Sequence, residues 1–197
     1  NKLQISGKII KKSSTANRER LINEMNFLIN LPKKLKPYFS KVLSHQITDE
    51  MASYSMPYYN HSLFSDLIID QKISKSQIVN VFHSILDFCF NKLYKTNRNQ
   101  TPKYFLRMNY FDKFKGRLAQ AKGKSKLFDS LILKNNLVID NQKMINAPLI
   151  LDKIINDNHL LSILEPPYLS LYHGDFRLGN ILIDESNFIL IDPRGLS

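Results

Sequence analysis

Cysteine is almost absent from this chain of 197 residues, since Cys89 is the only one. A single thiol excludes an intrachain disulfide, and the apolar neighbours Phe88 and Phe90 predict that it is buried rather than reactive. Such cysteine usage is typical of a reducing cytoplasm. No apolar run approaches the roughly 20 residues that cross a bilayer, and the first residues lack the apolar segment of a secretion signal. We therefore expect a cytoplasmic protein with no membrane contact.

Acidic residues are also scarce: 17 Asp and Glu stand against 28 Lys and Arg, for a formal charge of +11. This excess predicts an anionic partner, for which nucleic acid and nucleotide phosphates are candidates, or simply a solvated basic surface. The densest basic stretches, at 33–36 and 113–126, lack the regular aromatic side chains on which bases stack. The pattern therefore weighs against a nucleic-acid partner.

The first third of the chain predicts a small mixed α/β region. Apolar and polar residues alternate over 3–12, as in a strand, and Leu21, Met25 and Leu28 form the apolar stripe of a helix that ends before Pro32. A turn at 48–50 separates two further apolar stretches. The predicted elements are a strand (3–12), a helix (17–30) and a strand pair (42–47 and 51–56).

The remainder predicts a mainly helical region that ends in a hairpin. Its strongest helix spans 76–94, with an apolar face made by Ile78, Phe82, Ile85, Leu86, Cys89 and Leu93. Other helices are predicted at 63–69, 104–121 and 149–164, a polar connection at 135–146, and strands at 181–183 and 188–191. This order predicts an α+β fold with a small mixed lobe at 1–57 and a helical lobe at 58–197.

The most informative segment reads His173-Gly174-Asp175-Phe176-Arg177-Leu178-Gly179-Asn180, and Asp192-Pro193-Arg194-Gly195 follows the predicted hairpin. Phosphoryl transfer needs a group that takes the proton of the acceptor hydroxyl, oxygen ligands for a divalent metal, and cations near the phosphates. Carboxylate and amide groups at this spacing can serve the first two needs. The glycines allow tight backbone geometry, and His173 is expected to support the loop by hydrogen bonding rather than act as a base.

The His-x-Asp-x-x-x-x-Asn spacing with a later Asp matches the kinase catalytic loop and metal-binding position. Its His-Gly-Asp form resembles the aminoglycoside phosphotransferase and choline kinase superfamily, which has a protein-kinase-like two-lobe fold. The resemblance implies that Asp175 is the catalytic base, that Asn180 and Asp192 bind Mg²⁺, and that Arg177 meets the γ-phosphate of ATP. In helix order the middle of the chain resembles the phosphotransferases of bacterial surface-polysaccharide pathways, without a diagnostic motif.

Kinase-like enzymes also hold the ATP phosphates with a strand lysine that a helix glutamate orients. Glu24 lies on the apolar face of its predicted helix, where a carboxylate requires a cationic partner. Lys11 is our choice of partner; Lys12, on the opposite face of the strand, is the alternative. Glu19 lies further round the helix and is a weaker candidate than Glu24, and two unrelated surface charges are the plain alternative to any pair.

In the superfamily, the segment between the lobes offers backbone groups to adenine, which implies that Met56 and Tyr58 contact the nucleotide. Two features depart from the pattern. Only one strand is predicted before the lysine, and the chain stops five residues after Asp192. Together with the missing initiator Met, they lead us to expect a fragment, incomplete at both ends.

The sequence thus predicts an ATP- and Mg²⁺-dependent phosphotransferase whose acceptor is a hydroxyl of a small molecule. A sugar, a sugar phosphate and an amino alcohol remain open as acceptors, although the shortage of acidic residues favours a neutral or anionic compound over a polycationic aminoglycoside. The alternative is a non-catalytic kinase-like module that binds nucleotide.

Overall fold

A computed structural model describes residues 2–185 and 187–194. Its contacts divide the chain into two compact units, one made of 2–97 and 170–194 and the other of 98–169. Helices and strands occur in both, which confirms the predicted α+β class. The predicted division into lobes at residue 57 stays a prediction.

The first unit begins with one helix and a four-stranded antiparallel sheet, whose strands 2–6, 9–14, 52–57 and 44–47 lie side by side in that order. The predicted helix and the predicted strand pair are confirmed. The elements are β1 (Lys2–Ser6), β2 (Ile9–Ser14), α1 (Arg18–Ile29), β3 (Ser44–Ile47) and β4 (Ala52–Pro57).

The single strand predicted over 3–12 is wrong, because the chain makes a hairpin there. Gly7 has a φ of +57°, which suits a residue without a side chain at the turn between β1 and β2. Alternating apolar residues continue on both sides of this turn, so the pattern did not reveal it. Lys11 and Lys12 therefore lie on the second strand of a hairpin and not on a single first strand.

The chain then forms β5 (Ser62–Leu63), α2 (Phe64–Ile69) and α3 (Lys75–Phe88), which continues as a π-helical turn over Cys89–Leu93. The helix predicted at 76–94 is confirmed, but its buried face is centred on Val81, Ile85 and Phe88. Two residues of the predicted face are partly exposed, Phe82 at 38% and Leu86 at 50%. The predicted stripe was too wide, because only the narrower stripe reaches the core. Cys89 is buried, as expected.

The second unit contains short helices and two small sheets: β6 (Asn99–Gln100), α4 (Asp112–Ala121) after a π-helical turn (Arg107–Phe111), α5 (Lys126–Ile132), β7 (Asn136–Ile139), β8 (Gln142–Ile145), α6 (Ala147–Ile155), α7 (Asn158–Leu164) and β9 (Tyr168–Leu169). The polar connection predicted at 135–146 is instead a hairpin, with positive φ at both Asp140 and Asn141. The helix predicted at 149–164 is two helices, because the Asp157 carboxylate caps the start of α7.

The chain returns to the first unit as the predicted hairpin, β10 (Ile181–Asp184) and β11 (Asn187–Leu190), which pairs with β5. Ser186, which belongs to the predicted turn, lies outside the described residues. A backbone bond from Ser40 N to Leu190 O ties β11 to the segment after α1. One hydrophobic core joins α1, β4, α3 and this hairpin, with Leu21, Leu35, Tyr54, Phe64, Phe88 and Leu190 among its fully buried members. Within the described residues, no helix has the length and apolar character of a membrane span.

Candidate active site

Hydrogen bonds hold the loop 173–180 together and join it to the chain that follows β11. The amide Nδ2 of Asn180 donates to the backbone oxygen of Asp175 at 2.9 Å. The Ile191 N–H donates to Asn180 O at 3.0 Å, and the Arg194 N–H donates to His173 O at 2.9 Å. The predicted loop and the segment that holds Asp192 are therefore neighbours, and the Oδ1 of Asn180 is the atom of its side chain that can ligate a cation.

The buried side chain of His173 supports this loop by hydrogen bonding. It is 2% exposed, and its Nε2 lies 2.9 Å from Ile191 O, an atom that can only accept. Nε2 therefore carries the proton, and Nδ1 accepts the Asp175 N–H at 3.3 Å. Burial lowers the pKa of the imidazole, which opposes a second proton. A neutral ring with both nitrogens engaged is a structural support, as predicted, and not a base.

Backbone geometry explains one of the three glycines in the motif. Gly174 has a φ of +80°, and a Cβ there would lie 2.8 Å from Cβ of Arg194. Gly179 has no such constraint, since the nearest atom to a Cβ is the Ser65 hydroxyl at 3.8 Å, so the expected need for glycine there is wrong. Gly195 lies outside the described residues.

Asp192 follows β11 and has a left-handed backbone conformation, with a φ of +57°. A residue with a side chain rarely adopts this conformation, and such strain concentrates at functional sites. Its Oδ1 accepts a hydrogen bond from Lys12 Nζ at 2.9 Å, and 43% of the side chain is exposed. The carboxylate is therefore held at one oxygen while part of it faces solvent.

Lys12, not Lys11, is the partner of Glu24. Lys12 Nζ lies 2.6 Å from Glu24 Oε1, both residues are 3% exposed, and Tyr54 donates its hydroxyl to the same oxygen at 2.6 Å. Lys11 points to the other face of β2 and is exposed. The choice of Lys11 is therefore corrected, and the predicted burial and pairing of Glu24 are confirmed. Lys12 therefore joins α1 to Asp192, the second residue after β11, through two carboxylates.

Burial decides the titration of this cluster. It raises the pKa of the Glu24 carboxyl above its usual range, against the bonds from Lys12 and Tyr54, which lower it. Burial, and the negative charge of Glu24 beside it, also raise the pKa of the Tyr54 phenol far above its usual value. Tyr54 therefore remains a hydrogen-bond donor at any physiological pH.

Two arginines flank the carboxylate of Asp175. Arg177 Nε lies 3.8 Å from Oδ2, and Arg194 Nη2 lies 3.8 Å from Oδ1. Asp175 is largely buried, with 21% of its side chain exposed, whereas the arginine side chains are 70% and 56% exposed. Arg177 thus lies beside Asp175, its predicted contact with the γ-phosphate stays a prediction, and Arg194 is a second cation at the same carboxylate.

Met56 and Tyr58 have different surroundings. Met56 is 6% exposed, and its sulfur accepts the Ser40 hydroxyl at 3.5 Å. Tyr58 is 45% exposed, but its N–H already donates to Lys8 O at 2.8 Å. The predicted contact of both residues with adenine stays a prediction, and the N–H of Tyr58 is engaged within the protein.

Sequence reasoning missed roles for Tyr54 and Arg194. In the register of the sheet, Tyr54 lies directly opposite Lys12, so the two side chains share a face, but this requires the strand pairing to be known. Arg194 stands two residues after Asp192 in the quoted motif, and its cationic side chain was an available signal.

Among the described residues, no cluster of three or more His, Cys, Asp and Glu side chains could hold a metal ion. Two carboxylates and an amide, from Asp175, Asp192 and Asn180, are oxygen donors of the type that Mg²⁺ uses together with phosphates and water. A cleft of about 860 Å³ elsewhere in the first unit is lined by His61, Asp87 and other residues outside the predicted site. Asp175, Asn180 and Asp192 do not line this cleft.

No protein-family model matches this chain, and no curated protein is significantly similar to it.

Proposed function

We propose that this chain is the nucleotide-binding and catalytic part of an ATP-dependent phosphotransferase with a kinase-like two-lobe fold. It would move the γ-phosphate of ATP to a hydroxyl of a small molecule such as a sugar, a sugar phosphate or an amino alcohol. The observation that carries the proposal is the double salt bridge of Lys12, to Glu24 at 2.6 Å and to Asp192 at 2.9 Å.

A lysine paired with a helix glutamate is the group that kinase-like enzymes direct at ATP phosphates. Burying such a pair costs several kcal/mol per ion in desolvation, so it is poor evidence of a stability role. In this protein the lysine also reaches Asp192, whose strained backbone and part-exposed carboxylate suit a metal ligand. A function for the cluster accounts for these features together.

Each residue then has a distinct task. Asp192 and the Oδ1 of Asn180 would hold Mg²⁺, which when bound neutralises charge on the phosphates. Lys12 and Arg177 would contact phosphate oxygens, and Asp175 would orient the acceptor. The acceptor oxygen bonds to the γ-phosphorus while the bond to ADP breaks, and Asp175 takes the hydroxyl proton.

The sheet also offers an apolar surface for a base. Leu3 lies opposite Lys12 and Ile5 opposite Ile10, so these four side chains share one face of the β1–β2 pair. Leu3 and Ile5 are 60% and 65% exposed. Exposed apolar side chains beside a phosphate-directed lysine would cover the adenine ring and lose their contact with water.

The test is calorimetric titration with ATP in the presence and absence of Mg²⁺. Wild-type protein should bind the Mg²⁺ complex more tightly, and Asp192→Ala should lose that advantage. Asp49→Ala, in the exposed turn between β3 and β4, is the matched control and should bind like wild type. Asp175→Asn should still bind ATP but lose ADP release with any acceptor.

Three results would count against the proposal. Binding that ignores both Mg²⁺ and Asp192→Ala would favour a non-catalytic nucleotide-binding module. Undiminished ADP release in Asp175→Asn would remove the assigned base. Steeply salt-dependent binding to any DNA duplex, with none to ATP, would indicate a nucleic-acid partner.

A further inference from the structure

We propose that Arg194 binds an anionic group of the acceptor, so that the substrate is a hydroxyl compound that also carries a phosphate or a carboxylate. This inference rests on the proposed function and selects among its acceptor classes.

The first support is the charge around Asp175. Arg177 and Arg194 approach different oxygens of one carboxylate, and one negative charge can balance only one guanidinium. Lys12 faces two carboxylates, those of Glu24 and Asp192, so that cluster carries an excess negative charge, which the Mg²⁺ proposed at Asp192 would offset. A positive charge is therefore left beside the group that must meet the acceptor hydroxyl, and it attracts anions and repels amines.

The second support is that these ion pairs are loose. At 3.8 Å, both contacts are longer than the 2.7–2.9 Å or so of a charge-assisted hydrogen bond. More than half of the Arg194 side chain is exposed. The planar guanidinium fork thus keeps donors free for a carboxylate or phosphate, whose oxygens it matches in pairs.

The third support is that the backbone holds Arg194 in this place. Its N–H donates to His173 O, and its Cβ packs so closely over Gly174 that no side chain fits there. These contacts fix the point on the backbone from which the guanidinium reaches Asp175.

The two arginines divide the surroundings of Asp175. A catalytic base must lie within hydrogen-bond reach of the hydroxyl it deprotonates. Arg177, on the Oδ2 side, is assigned to the γ-phosphate. Arg194, on the Oδ1 side, is then available to the acceptor itself. Amino alcohols and aminoglycosides would place a second cation there and are disfavoured.

The experiment uses inorganic phosphate as the probe, with acetate as a carboxylate probe, added to protein saturated with Mg²⁺ and the non-hydrolysable analogue AMP-PNP. The analogue occupies the γ-phosphate position, so the probe reports the acceptor side. We expect phosphate or acetate to bind wild type. Arg194→Ala should weaken this binding by about tenfold or more, and the affinity of Arg194→Lys should lie between the two. Arg20→Ala, at an exposed position of α1, should match wild type. Sodium chloride keeps the ionic strength constant.

The outcomes separate the two proposals. If AMP-PNP does not bind wild type, the proposed function fails. If AMP-PNP binds but neither anion does, or if Arg194→Ala binds the anion as wild type does, the inference alone is overturned. ADP release gives a second measurement with the pair glycerol and glycerol 3-phosphate. The inference is supported if wild type releases ADP faster with glycerol 3-phosphate than with glycerol and if Arg194→Ala loses this preference. Faster ADP release with glycerol in wild type contradicts it.

Discussion

Replacing Tyr54 with phenylalanine removes one hydroxyl from the buried cluster of Lys12, Glu24 and Asp192. The phenol is 1% exposed and donates to Glu24 Oε1 at 2.6 Å. The ring stays, so packing in the core is unchanged and only the hydrogen bond is lost. Bonds to a charged group are worth about 1.5–3 kcal/mol, and Glu24 keeps its bond from Lys12. We expect the free energy of unfolding to fall by about 2 kcal/mol.

The assay is urea unfolding followed by circular dichroism, in which the midpoint should fall while the slope stays constant. Tyr172→Phe is the matched control, because that tyrosine is 57% exposed in the same unit. The loss in Tyr54→Phe should shrink as the pH falls, since a protonated Glu24 accepts a weaker bond and burial already raises the pKa of this carboxyl from 4.5. A loss below about 0.5 kcal/mol, or one equal to that of the control, would refute the reasoning.

Three further predictions concern the same unit. Lys12→Met should cost about 3–5 kcal/mol of unfolding free energy in urea titrations, because it leaves Glu24 buried without a cation, whereas Lys11→Met should cost no more than about 0.5 kcal/mol. Gly174→Ala should lower the midpoint of thermal unfolding and weaken Mg²⁺–ATP binding, because the added methyl meets Arg194 at 2.8 Å; unchanged values would contradict the close approach. His173 has a lowered pKa, so the unfolded chain takes up its proton first as the pH drops. Wild type should therefore lose stability below about pH 6.5 more than His173→Gln does, and parallel pH curves in urea unfolding would contradict this.

Much of this site could be predicted from sequence because its parts obey short-range rules. Side chains three and four residues apart share a helix face, which correctly buried Glu24 between Leu21 and Leu28. The hairpin around Asp184 follows from two apolar strands joined by a polar turn. Because this one hairpin separates the loop of Asp175 from the segment of Asp192, it also brings the two parts of the chain together.

The choice between Lys11 and Lys12 could not be made in this way. Strand alternation assigns neighbours to opposite faces but does not say which face α1 covers. That depends on the pairing with β4, a contact between distant parts of the chain, where Tyr54 lies opposite Lys12. The exposure of Leu86 in α3 could not be predicted for the same reason. Which stripe of a helix is buried depends on the elements that pack against it.

The segment 98–169 leaves and re-enters the first unit at adjacent points. Thr96 O accepts the Leu171 N–H at 3.1 Å, and β6 pairs with β9 just inside the segment. Ends this close allow a stretch of chain to be lengthened, shortened or exchanged while the flanking backbone keeps its path. A short glycine linker between Asn97 and Ser170 is therefore a practical way to ask whether the first unit folds without this segment.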